Sequence, residues 1–299
     1  MTIPAPPNRP LLRWHGGKWL QAPGIIANFP PHRVYVEPFG GAVSVLLRKA
    51  PSYAEVWNDL DGELVNLFRV LRDPTRAARL IELLRLTPYA RDDFNASYRP
   101  ARSGIERARQ MILRSFAGHG SDGASGQYRT GFRANSNRSG STPAHDWQNY
   151  PEALAAIVAR INPAIDPANS QRAGVIVENR DALKVMATHD SPETLHYVDP
   201  PYLAATRARA NRRPDNGGVY RHELCDSDHA DLLNFLRELS GMVVLSGYPD
   251  PSYDAALPDW HRIERAARAD GALKRIEVLW LNPACAAKRP APGLFGEAA

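Results

Sequence analysis

The chain has 299 residues, 43% hydrophobic and 23% charged, a balance ordinary for a soluble globular protein and long enough for one large α/β domain with an insertion. No apolar run approaches the roughly 20 residues needed to span a bilayer, the proline-rich Met1–Pro10 has no apolar signal core, and Cys225 and Cys285, the two cysteines, are too few for a disulfide framework or a structural zinc site, so a reduced cytoplasm and no metal are expected. The net charge of +5 sits in residues 91–140, where nine arginines and no lysine stand against four acids; a neutral body with one arginine-rich segment points to a polyanionic partner reached by that segment, or else to a solvated charged face.

In chain order, the first feature is Arg13-Trp-His-Gly-Gly-Lys18. It precedes any strand; its lysine can pair with a carboxylate and its glycines permit close passage over a ligand, although composition alone describes a loop. Val34-Tyr-Val-Glu-Pro38 reads as a short strand and runs into Glu37-Pro-Phe-Gly-Gly-Ala-Val-Ser44, where adjacent glycines let the backbone approach a nucleoside. A second strand, Ala54-Glu-Val-Trp57, exits into Asn58-Asp-Leu-Asp61. An acid at such an exit can accept hydrogen bonds from ribose hydroxyls, a role given to Asp59, while Asp61 suits the N-cap of a helix with Leu64, Phe68 and Leu71 on one face. Pro74 stops that helix.

From about residue 73 to 172 the alternation breaks. Helical segments rich in Leu and Arg lead into Gly118–Gly126 and a polar run through Thr142, both poor in core-forming residues. The segment reads as an inserted, mainly helical subdomain on the edge of the sheet, leaving 1–72 and 173–299 for the principal domain. Strands resume at Gly174–Glu178 and Leu195–Asp199, and a short arginine-rich insertion spans about 204–218. A helix is predicted from about Ser227 to Leu239, capped by Asp226 or Ser227, then a buried strand at Met242–Leu245 and another at Arg275–Trp280. Strands alternating with helices imply a mostly parallel sheet covered on both faces.

The sharpest signal is Asp199-Pro-Pro-Tyr202, directly after an apolar strand, where parallel sheets bind ligands. Two prolines hold their φ angles and leave their carbonyls in fixed directions. An amine between the Asp199 carboxylate and the Pro200 carbonyl meets two acceptors, and the Tyr202 ring can stack on a flat heterocycle. Pro-Pro alone would be a rigid turn; strand, Asp and Tyr together favour a site.

In this order the elements resemble the Dam-like DNA adenine-N6 methyltransferases, especially the compact members found with phages and prophages. The similarity runs from Trp14-His-Gly-Gly-Lys18 to Lys274-Arg-Ile-Glu-Val-Leu-Trp-Leu-Asn-Pro283. It implies a Rossmann-like S-adenosylmethionine-dependent methyltransferase sheet, double-stranded DNA as substrate, and a target-recognition insertion ahead of the catalytic tetrapeptide, here residues 73–172. Position by position it implies cofactor contacts from Trp14 and Lys18, from Glu37, Pro38, Phe39, Gly40 and Gly41 around the methionine part, from Asp59 at the ribose and from Asp181 near the adenine. It makes Asp199, Pro200, Pro201 and Tyr202 the catalytic group. Val43 stands where many members carry a further glycine.

Since the target atom lies inside a duplex, the base must be flipped out. Base and phosphate contacts are expected from Arg129, Arg133, Asn135 and Arg138 of the insertion, with Gln127 and Asn137 beside them, and from Arg207, Arg209, Arg212 and Arg213. His222, in Tyr220-Arg-His-Glu223, lines the base pocket or anchors its loop. Related protein-glutamine enzymes usually carry Asn, and cytosine-N4 enzymes more often Ser, where this chain has Asp199. Adenine-N6 is therefore expected, with cytosine-N4 methylation and a non-catalytic DNA-binding protein on a decayed scaffold as alternatives. The resemblance leaves open a cognate restriction endonuclease as partner, and a monomer or weak dimer as the working unit.

Overall fold

Among residues 7–121, 123–126, 128–135, 141–162, 174–206, 220–268 and 274–290, which the computed structural model describes, the elements follow one another in a regular order. The first part of the chain forms α1 (Ala22–Ile26), β1 (Val34–Glu37), α2 (Ser44–Arg48), β2 (Ala54–Asn58) and α3 (Gly62–Arg72). Five helices come next: α4 (Pro74–Leu86), α5 (Arg91–Ala96), α6 (Gly104–Ala117), α7 (Pro143–Gln148) and α8 (Tyr150–Ile161). The sheet then resumes with β3 (Val175–Glu178), α9 (Ala182–His189), β4 (Thr194–Val198), α10 (Asp226–Glu238) and β5 (Met242–Gly247). It closes with α11 (Pro251–Ala256), β6 (His261–Arg268), β7 (Lys274–Leu281) and α12 (Pro283–Lys288).

The seven strands form one sheet in the order β3-β2-β1-β4-β5-β7-β6. The first five run parallel, and β7 lies antiparallel between β5 and β6. This is the expected Rossmann-like α/β sheet with an antiparallel hairpin at one edge. The winding runs outward from β1 to β3 on one side and from β4 to β7 on the other. The switch point therefore lies between β1 and β4, whose register pairs Val36 with His196, and ligands bind in the crevice beyond such strand ends.

Period-two alternation divides the core between the two faces. Tyr35, Trp57, Leu195, Tyr197, Val244 and Leu279 point to one side; Val198, Val243, Leu245, Val278 and Trp280 point to the other. β4 is buried along its whole length, as a central parallel strand must be. Its one imidazole, His196, is held neutral: burial pushes its pKa down to about 4, opposed by Asp190 at 3.2 Å.

The predicted strands and the two long predicted helices are present. β6 was not anticipated. Its sequence, His261-Arg-Ile-Glu-Arg-Ala-Ala-Arg268, lacks an apolar alternation because an edge strand with mostly exposed side chains needs only the backbone of β7 to hold it. The start of α10 also differs. Its N-cap is Cys225, not Asp226 or Ser227, and Asp228 accepts the Cys225 N–H at 2.8 Å to complete a capping box.

Residues 73–172 interrupt the sequence alternation, yet their helices build no core of their own. Leu80, Leu84, Met111, Leu154 and Ile157 belong to the same buried cluster as Tyr35, Trp57 and Phe68. A buried ionic joint reinforces this. Arg160 of α8 donates through two nitrogens to Glu55 of β2 at 2.7 and 2.9 Å, and Lys49 meets the same carboxylate at 2.7 Å. The helical part thus packs on α2 and α3 and shares their buried cluster. The stretch between α6 and α7 is held differently, by an isolated bridge between Gly118 and Phe132 and by Arg114, whose buried guanidinium donates to the carbonyls of Ser97 and Ala124.

Candidate active site

The ends of β1, β2 and β4 open into a cavity of about 430 Å³, walled by residues within 14–18, 37–45, 58–61, 199–202 and 220–224. That volume lies in the range of small-molecule sites.

The loop after β1 is shaped by contact and by backbone sign. A Cβ on Gly40 would lie 2.1 Å from Trp57 Nε1, so no side chain fits there while Trp57 stays stacked on Phe68. Gly41 has a φ of +46°, and its N–H donates to Asp59 Oδ2 at 2.9 Å. Pro38 accepts from Asn58, and Phe39 packs against the cluster around Val198 and Leu245.

Val43 also adopts the left-handed region, with φ 59° and ψ 29°. It is the one non-glycine residue there among those described, and a β-branched side chain in that region is strained by about 1–3 kcal/mol. This gives a physical reason to expect a glycine at this position. Replacing the fully buried Val43 with either Ala or Gly removes apolar burial, but only Gly also releases the strain. Val43→Gly is therefore expected to be at least as stable as Val43→Ala, inverting the usual order in which Gly is worse by about 0.5–1 kcal/mol. Urea unfolding of the pair checks this; an alanine variant clearly the more stable would remove the strain argument.

Asn58 joins three loops. Its Nδ2 donates to Pro38 O at 2.8 Å and Arg180 O at 3.0 Å, while its Oδ1 accepts from Arg180 N at 2.9 Å. Asp59 uses Oδ1 to accept from Asp61 N at 2.8 Å and Oδ2 for Gly41, and burial pushes its pKa up to about 6. Asp61 caps α3 as expected, accepting from Glu63 N at 2.9 Å. Asp181 caps α9 through Lys184 N at 3.0 Å and is exposed; its neighbour Ala182, not Asp181, joins the cavity wall.

The lysine of the N-terminal motif finds its carboxylate across the fold. Lys18, only 4% exposed, places Nζ 2.9 Å from Asp199 Oδ2, donates to Gly16 O at 2.8 Å and lies 4.8 Å from the Tyr202 ring centre. Burial alone would discharge this ammonium, but the carboxylates of Asp199 and Glu277 raise its pKa. The other Asp199 oxygen, Oδ1, is buried and makes no hydrogen bond of ordinary length among the described residues. Tyr202 shares a hydrogen bond with Ser246 Oγ at 3.2 Å and meets Tyr248 edge-on at 4.7 Å. Its phenol is held protonated by burial and by the adjacent Asp199. Glu37 accepts from Tyr35 Oη at 2.6 Å and Leu46 N at 2.8 Å, and burial pushes its pKa up to about 7.

Trp14, Lys18, Glu37, Pro38, Phe39, Gly40, Gly41, Asp59, Asp199, Pro200, Pro201, Tyr202 and His222 therefore share one cavity. The polar insertion residues lie elsewhere. Arg129 is exposed, 5.4 Å from the Tyr98 ring centre, and Asn135 is exposed. Arg133 turns inward to donate to Phe116 O at 2.9 Å, so it braces its own loop. Gln127, Asn137, Arg138, Arg207, Arg209, Arg212 and Arg213 lie outside the described residues. Sequence reasoning passed over Asn58, Arg221 and Leu60 as site residues. Leu60 is 45% exposed on the cavity wall, and an apolar residue between two acids at a strand exit was its available signal.

No described helix is long and apolar enough to cross a membrane. The chain is similar to the Type II methyltransferase M1.LlaDCHI of Lactococcus lactis subsp. cremoris, with 25% identity over 292 residues, covering 88% of this chain and 90% of that protein. The family model described as D12 class N6 adenine-specific DNA methyltransferase matches residues 14–244. That span runs from the Trp14 motif through the glycine loop and Asp199-Pro-Pro-Tyr202 into β5, which sets aside cytosine-N4 chemistry and a non-catalytic scaffold: the chain belongs to the D12 class of N6 adenine-specific DNA methyltransferases.

Proposed function

We propose that the cavity binds S-adenosylmethionine and that Asp199, Pro200, Pro201 and Tyr202 direct methylation of an adenine flipped out of double-stranded DNA. The observation that carries this reading is the divided Asp199 carboxylate: Lys18 holds one oxygen, and the other is buried without an ordinary hydrogen bond among the described residues. A buried acceptor of that kind is costly unless a donor arrives.

The lining fits the cofactor. Glycines at the β1 exit admit a close ligand, Trp14 and Leu60 offer apolar surface, and Glu37, Asp59 and Asp61 suit a ligand that carries positive charge and hydroxyl donors. Trp14, Glu37, Pro38, Phe39, Gly40, Gly41 and Asp59 would hold it, and Lys18 acts through Asp199. When bound, S-adenosylmethionine supplies an electrophilic methyl group.

The residues of the chain supply the rest. Adenine's amino nitrogen is a weak nucleophile because its lone pair is delocalised into the ring. Asp199 Oδ1 and the Pro200 carbonyl accept its two N–H groups and favour a pyramidal nitrogen with its lone pair exposed. The same acceptors stabilise the positive charge that develops on nitrogen, and the methylated nitrogen loses one proton, either to Asp199 as the new bond forms, which then releases it to water, or directly to water afterwards. Flipping costs a few kcal/mol, of which stacking on Tyr202 recovers about 1–3 kcal/mol. Residues 73–172 are read as the DNA-recognition segment, with Arg129 and Asn135 facing outward.

The test is transfer of labelled methyl from S-adenosylmethionine to unmethylated genomic DNA, followed by nucleoside analysis. N6-methyladenine is expected, and sequencing then gives the target site. Absence of transfer together with absence of cofactor binding would overturn the assignment of the cavity.

A further inference from the structure

The motif Tyr220-Arg-His-Glu223 has no part in the chemistry above, yet its arginine touches both halves of the machinery. Arg221 Nε lies 3.4 Å from Asp61 Oδ2, and Arg221 Nη2 donates to Ser125 O at 3.0 Å. Asp61 belongs to the cavity wall, and Ser125 to the segment between α6 and α7 that precedes Arg129. From Asp61 the connection continues into the glycine loop. Asp61 N donates to Asp59 Oδ1 at 2.8 Å, and Gly41 N donates to Asp59 Oδ2 at 2.9 Å. Five residues from four separate parts of the chain are thus joined, from Gly41 to Ser125, by backbone groups and by side chains with little freedom.

The two ends are anchored independently. Arg107 of α6 meets Glu63, in the first turn of α3, at 3.0 Å. Arg114, also of α6, donates to Ala124 O, next to Ser125. On the cavity side, Tyr220 N donates to Glu223 Oε1 at 2.9 Å, and Tyr220 Oη to His15 O at 3.4 Å. Arg221 is therefore a cross-brace between two braced parts. A guanidinium suits this place because its rigid fork can serve a carboxylate and a carbonyl at once, which an ammonium does less well.

We propose that Arg221 is a positioning residue that couples the cavity to the insertion, so that methyl-donor binding and DNA binding reinforce each other. The proposal rests on the donor-site reading of the cavity. Spatial continuity alone does not establish coupling; a change in linked affinities does.

The experiment measures the affinity of S-adenosylhomocysteine by calorimetry, with and without a duplex carrying a site methylated in the labelling assay. In the unaltered protein the duplex is expected to tighten S-adenosylhomocysteine about fivefold or more, with the reciprocal effect on DNA. Arg221→Ala should bring the ratio of S-adenosylhomocysteine affinities with and without DNA below about twofold, whatever its effect on the affinity without DNA, with Arg221→Lys between the two. Asp61→Asn provides a second route, since asparagine caps a helix as well as aspartate while losing the charge that pairs with Arg221. It should lower the coupling alike, and the double variant should lower it no further. Binding of both ligands with no coupling in the unaltered protein, or coupling that survives in Arg221→Ala, overturns the proposal and leaves the donor site standing. Failure of S-adenosylhomocysteine to bind the unaltered protein overturns both.

Discussion

Asp199→Ala is expected to lower single-turnover methyl transfer by about three orders of magnitude while DNA affinity stays nearly unchanged. The large effect follows from timing: in the proposed reaction the carboxylate faces positive charge that exists on the adenine nitrogen only as the methyl bond forms, so its loss falls on the transition state. Alanine also strands Lys18, which would keep Gly16 O and the Tyr202 ring as neighbours but lose its nearest carboxylate. Breaking a buried pair from one side destabilises by about 3–5 kcal/mol, so lost activity in the alanine variant mixes chemistry with stability. Asp199→Asn separates them. Lys18 draws the amide oxygen of the asparagine to itself, and the amide NH₂ then occupies the place of Oδ1 and opposes the adenine amine with donors. The asparagine variant, which keeps a hydrogen bond to Lys18 but not the charge, should lose less stability than the alanine variant in urea titrations, yet transfer methyl almost as poorly. Retention of more than about a tenth of the activity in Asp199→Asn would sink the role given to Oδ1.

What the sequence made legible follows the range of each physical signal. Central strands such as Val34-Tyr-Val-Glu37 and Leu195-His-Tyr-Val198 declare themselves because burial on both faces demands continuous apolar residues. β6 does not, since nothing about exposed side chains distinguishes it from a loop. The Asp-Pro-Pro-Tyr turn is local chemistry on a local backbone and is readable in four letters. The same holds for Asp61 as a cap, where donor and acceptor are two residues apart. Partnerships across the fold are of another kind. The sequence shows that Lys18 can pair with an acid; only the meeting of the N-terminal loop with the end of β4 makes that acid Asp199. Arg133 reads as a DNA contact, and nothing in the sequence shows that one of its guanidinium nitrogens also donates to the Phe116 carbonyl. Asp181 reads as a ligand-binding acid, and its carboxylate also caps α9 one residue from the cavity wall. Arg221 resembles any surface arginine in the sequence, and its significance lies in two contacts 96 residues or more distant in the chain.

Glu37→Gln is expected to stabilise the protein above neutral pH and to weaken its hold on the methyl donor. Glu37 is 3% exposed, and burial raises its pKa from 4.5 to about 7, against the opposing effects of the Tyr35 hydroxyl, the Leu46 N–H and Lys49. The folded chain therefore binds this proton more tightly than the unfolded chain does. The stability contributed by the group is complete below pH 4.5 and is lost as pH rises through about 7, a loss of ~3 kcal/mol at most. Glutamine cannot ionise, and its carbonyl oxygen can accept from both Tyr35 and Leu46 as Oε1 does. Urea unfolding between pH 5 and 8 should therefore show the two proteins diverging, with the glutamine variant the more stable at the alkaline end. Parallel curves would mean that the Glu37 proton is not held as tightly as its burial implies. A stable chain has no need of an ionisable acid in this position, and such groups persist where a site uses the charge. A ligand with a sulfonium and an ammonium favours the carboxylate form, so S-adenosylmethionine should bind the unaltered protein more tightly as Glu37 loses its proton, and the part of the dependence centred near pH 7 should be lost in the variant, leaving the part that Asp59 sets near pH 6. If the variant gains stability yet keeps the affinity and pH dependence of the unaltered protein, the charge on Glu37 is not what the cavity uses to hold its ligand.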